Sequence, residues 1–154
     1  MYTNQYRDVF TSMRLGFHAA KAAATLPQST TQNIFTITGG RVLVTLLIGE
    51  VTTLVGTGTT PDLKVTSVPT TGTLLDVASD VVITDDEVGT LYYVEGDGTA
   101  LVAFSSGYAG TVVQSAFVLP IGTVRIAASE SVAGATKWDI FYLPLDEGAS
   151  VASA

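Results

Sequence analysis

The residues able to do chemistry are few and scattered. The 154-residue chain has one histidine and no cysteine, which removes disulfides, thiolate nucleophiles and every Cys-ligated metal site. His18 stands beside Phe17 with no carboxylate close in sequence, so a packing or interface role outweighs that of a general base, which needs a proton to take and a partner to orient it. Ser105, Ser106 and Ser115 have only distant His18 for a triad, and no G-x-S-x-G elbow is present. The run Asp85-Asp86-Glu87 offers oxygen ligands for a divalent cation. It lacks the alternating ligands and central glycine of an EF-hand loop, so a solvated turn is the leading reading and a weak cation site the other.

Two further constellations receive the same treatment. Asp76 and Asp139 would have to lie about 5–9.5 Å apart in a groove to cleave a glycosidic bond, and nothing in the sequence singles them out. KWDIFYLP holds the one tryptophan. Its alternation puts Trp138, Ile140 and Tyr142 on one face and Asp139, Phe141 and Leu143 on the other, as in a core or interface strand. GTGTTP at 56–61, like ITGG and SSGYAG, lacks the lysine and the strand-to-helix setting of a phosphate loop. The expectation is a non-enzymatic protein with no catalytic residues, no cofactor and no metal.

Composition points to surfaces. Hydrophobic residues make up 47% of the chain and charged residues 14%, against about 25% charged in an ordinary soluble protein. So little charge coats a small domain poorly, which implies contact surface in an assembly. Net charge is −7, unevenly spread. Residues 1–25 carry Arg7, Arg14 and Lys21 against Asp8, and the remainder carries four basic and thirteen acidic side chains. An acidic body repels nucleic acid and anionic membrane, so neither is an expected partner. No apolar run approaches the roughly 20 residues of a membrane-crossing helix, and the start lacks the apolar core of a signal peptide.

The elements that must carry these residues divide near position 33. From Tyr6 to Ala24, Phe10, Met13, Phe17, Ala20 and Ala24 recur at steps of three and four, which predicts a helical stripe. Arg7, Arg14 and Lys21 run along its edge, where long stems lie on apolar surface. Pro27 and QSTTQN end it. Residues 1–33 therefore read as an arm with a short helix and linker, packed on its own body or on a neighbour. From 34 to 154 short β-branched segments recur every 8–12 residues between Gly and Pro breaks. That pattern predicts an all-β antiparallel sandwich or β-barrel, a jelly roll among the options. VEGDGT at 94–99 is the clearest hairpin turn.

The segments YRDVFTSMRLGFHAAKAAATLP, NIFTITGGRVLVTLLIGEVTT and KWDIFYLPLDEGA resemble small virion proteins of tailed bacteriophages, of the kind called head-decoration or capsid-cement proteins. The resemblance implies a β-rich protein on the capsid exterior, commonly a trimer, that bridges major capsid subunits after assembly in the host cytoplasm. It brings no catalytic residues. The alternative is another virion part: a head-fibre base, tail component or host-binding module. The candidate interface residues are Arg7, Phe10, Met13, Arg14, Phe17, Lys21, Trp138 and Tyr142.

Overall fold

A computed structural model describes residues 14–105 and 116–154. Arg7, Phe10 and Met13 lie outside the described residues. The described residues form two sheets. The first runs β1 (Phe17–Thr25), β10 (Ala135–Pro144), β3 (Val42–Thr53), β6 (Leu91–Tyr93) and β7 (Val102–Phe104), with β8 (Phe117–Leu119) also paired to β3. The second runs β11 (Ser150–Ser153), β2 (Thr31–Thr38), β9 (Gly122–Ala128), β4 (Asp62–Pro69) and β5 (Leu75–Val82). All strand pairs are antiparallel.

The sheets exist because their strands alternate. On β10, Trp138, Ile140 and Tyr142 point inward and are buried, while Lys137, Asp139 and Phe141 are only partly covered. β9 buries Val124 and Ile126 and turns Arg125 outward. These inner faces meet Phe35, Val44, Leu47, Val51, Leu63 and Val65 in one apolar core, each large side chain contributing about 1.5–3 kcal/mol by leaving water.

β3 is apolar on its inner face and largely apolar on the outer face of its first half, before Glu50 and Thr52 turn that face polar. Val44, Leu47 and Val51 face the core, while Leu43, Leu46 and Ile48 face outward. A bulge opposite Phe141 and Tyr142 puts Thr45 and Leu46 on the same side. The Thr45 hydroxyl donates there to the Leu15 carbonyl, which fixes the chain as it enters β1.

Two parts of the expected fold are overturned. The expected N-terminal helix gives way to a strand: among the described residues only 14–15 are helical, and 17–25 form β1. Gly16 at φ +88° turns the chain out of the helical region, and a Cβ there would sit 2.2 Å from the Tyr142 carbonyl oxygen. From Phe17 to Lys21 the chain then pairs with β10 residue for residue, and this pairing overrides the helix preference of the alanines. Nor is the fold a barrel or jelly roll. β1 and β11 lie side by side without a ladder, joined by the Lys21 ammonium donating to the Ala154 carbonyl. The opposite edges meet at one isolated bridge, Ser79 with Ala100. The two sheets stay open.

The Asp-Gly turn does join a hairpin, β6 to β7, but through an eight-residue loop rather than a two-residue one. Within that loop the Asp97 carboxylate accepts from the Thr99 backbone N–H at 2.9 Å and from its hydroxyl, an Asx-type closure.

Candidate functional site

The groups singled out for chemistry are dispersed by the fold. Asp76 lies on β5, beside Lys64 at 3.5 Å, and Asp139 lies on β10 in the other sheet. No pair for glycoside hydrolysis forms between them. Asp85 takes φ +62° in the turn between β5 and β6. Asp86 turns inward and accepts a 2.6 Å hydrogen bond from the Tyr92 hydroxyl. Burial pushes the Asp86 carboxyl above its ordinary value, and the Tyr92 bond offsets part of that rise. The acidic run is thus a turn with one side chain committed to the core. Among the described residues no cluster of three metal-ligating side chains occurs.

His18 gains a partner that sequence distance concealed. Its Nε2–H donates to Asp139 Oδ1 at 2.7 Å, and the ring stacks on Phe141 with centroids 4.5 Å apart. The pairing of β1 with β10 brings these residues together across 121 positions. The arrangement pins an edge strand to its neighbour, and no hydroxyl nucleophile hydrogen-bonds to the imidazole among the described residues.

The candidate interface residues separate into two groups. Trp138 and Tyr142 are buried in the chain's own core. The Trp138 indole N–H donates to the Thr136 hydroxyl at 3.1 Å, and its ring stacks near Tyr92. Arg14 and Phe17 are exposed, while Lys21 is held by Ala154. Phe17 keeps 60% of its surface in water although its ring leans on Tyr142 at 5.9 Å.

Sequence reasoning missed two surfaces. The first is a row across the outer face of the first sheet. Leu143 stands opposite Leu43, and Leu43 opposite Val118; Leu143 and Val118 are exposed. The alternation of KWDIFYLPL placed Leu143 on the outward face, but nothing in the sequence announces that the strands align these three. The second is a cavity of about 150 Å3 between β5 and β8, walled by Val77, Phe117 and Leu119. Two exposed side chains, Leu75 and Val118, stand at its rim. Its residues come from four separate segments, which is why no local pattern signals it.

An exposed ion pair closes one end of the sandwich. The Arg41 guanidinium grips Asp146 with Nε and Nη2 at 3.0 and 2.9 Å, and the Arg41 backbone N–H adds a bond of 2.7 Å. These bonds hold the Asp146 carboxyl at about 2. They tie the turn between β2 and β3 to the turn between β10 and β11. The role is architectural.

No helix among the described residues is long and apolar enough to cross a membrane. In comparisons with known proteins, no family model, no curated protein and no solved structure matches this chain.

Proposed function

We propose that the protein is a non-enzymatic structural component of a bacteriophage virion, which binds the outside of the capsid as an oligomer and bridges major capsid subunits. The observation that supports the reading is the outer face of the first sheet, where Leu143, Leu43 and Val118 line up across β10, β3 and β8. A sheet facing water on one side alternates apolar and polar residues, whereas one covered on both sides is apolar on both. The first half of β3 comes close to the second pattern, with Leu43, Leu46 and Ile48 facing outward beside Thr45. Such a face is a contact surface for a partner, and repetition around a shell lattice turns a weak contact into a firm one.

The test is location and copy number in purified particles, imaged at near-residue resolution. Hundreds of copies on the shell exterior, with the Leu143 row against the capsid, are expected. A handful of copies at a vertex or tail would move the protein to another virion part. Its absence from particles would remove the proposal.

A further inference from the structure

The cavity between β5 and β8 is too small for a metabolite, since such pockets run to about 300–1,000 Å3. At about 150 Å3 it matches an apolar void that holds a benzene ring. No charged side chain lines it. Its size and chemistry therefore suit one phenyl group. Among the described residues, one aromatic stands with the exposed large hydrophobics: Phe17.

Phe17 cannot fill the cavity of its own chain. It belongs to β1, the edge strand of the first sheet, and β10 and β3 lie between it and β8. Three strand steps separate them by about 14 Å, and the β10 ladder fixes β1 in place. The charges beside the two features are opposite. Arg14, three residues before Phe17, is exposed and in no ion pair among the described residues. Glu95 and Asp97 flank Gly96 on the cavity wall and are likewise in no ion pair among them. Opposite charge at ring and cavity steers the approach and fixes the register of a docking contact.

We propose that Phe17 of one copy inserts into the Leu75–Phe117 cavity of a second copy, with Arg14 meeting the Glu95–Asp97 turn. The contact is head to tail, because each copy carries the ring on one edge and the cavity on the other. Repeated, it closes a ring when the rotation allows and otherwise extends as a filament. It stands whether or not the protein belongs to a virion.

Sedimentation velocity over a concentration series tests this directly. The wild-type chain should associate, and Phe17→Ser and Leu75→Glu should each weaken association at least tenfold. Both positions are exposed, so circular dichroism should show both variants folded. Mixed together, the two variants should form a one-to-one dimer that grows no further, since Phe17→Ser retains a cavity and Leu75→Glu retains a ring. Should either variant unfold, Arg14→Glu takes its place: it should weaken association severalfold, and Glu95→Arg in the same chain should restore it. A wild-type chain still monomeric at ~1 mM, where even a millimolar contact is half formed, overturns the proposal. So does undiminished association of Phe17→Ser, or a variant mixture that stays monomeric.

Discussion

The indole of Trp138 lies against Gly49, its directly paired residue on β3, so closely that a Cβ on Gly49 would stand 2.9 Å from three ring carbons. The missing side chain makes room for the largest fully buried one. Gly49→Ala should therefore cost about 1–3 kcal/mol by overpacking, and Trp138→Ala about 3–5 kcal/mol through the void it leaves. In a Trp138→Leu background the Gly49→Ala penalty should shrink, with a coupling of about 0.5–3 kcal/mol. Urea denaturation of the four chains measures it. Additive penalties would mean that the ring and the glycine are independent.

Asp86 sets a pH dependence of unusual sign for a carboxylate. Burial raises its folded-state pKa, so folding favours the protonated acid. The stability it adds is fully present below the unfolded value near 3.9 and is lost as pH rises through the higher folded value. Asp86→Asn keeps an oxygen to accept the Tyr92 hydroxyl but carries no charge. The variant should match the wild type at pH 3 and be at least as stable at pH 7, by thermal melting at both. A variant clearly weaker at pH 7 would show that the charge itself is needed.

Asp146 carries the opposite sign. The Arg41 bonds depress its carboxyl to about 2, so its contribution is present above the unfolded value near 3.9 and disappears as pH falls through about 2. Asp146→Asn should flatten the decline in melting temperature between those limits. Arg41→Ala should do the same. An unchanged acid limb in both would count against the pair as a fastening of the two turns.

Val118 and Leu143 are exposed, so exchanging them for threonine and serine should alter stability by no more than about 0.5 kcal/mol each. If the Leu143 row contacts a capsid, the double variant should bind particles far more weakly while melting at the wild-type temperature. Co-sedimentation with decoration-free shells measures the first, and calorimetry the second. Equal occupancy on particles would rule out this face.

Strand content was legible in the sequence where alternation was strong. KWDIFYLPL placed Trp138, Ile140 and Tyr142 together, and all three are buried. The segment after Gly16 was not legible, because FHAAKAAAT has helical spacing and alanine's helix preference. What makes it a strand is β10, more than a hundred residues away. His18 and Asp139 meet for the same reason, and no local signal joins them. LKVTSV reads as an edge strand, yet β4 lies between β9 and β5. LLDVA and VVIT read as two strands but form β5 as one. Short alternating runs reveal faces; they do not reveal neighbours.

Chain order and strand order in the first sheet have a consequence for biosynthesis. Among the described strands β1 comes first in the chain, but its ladder partner is the tenth, and β10 is also what separates it from β3. At about 5–20 residues per second, the interval between these two strands leaving the ribosome is on the order of ten seconds. Until β10 follows, β3 has, among the described strands, only the short β6 and β8 to pair with as they emerge, and Leu43, Leu46 and Ile48 stay uncovered by its main ladder. Nascent copies made side by side on one message would offer each other the same unfinished sheet. Holding them apart until β10 emerges falls to translation rate and chaperones.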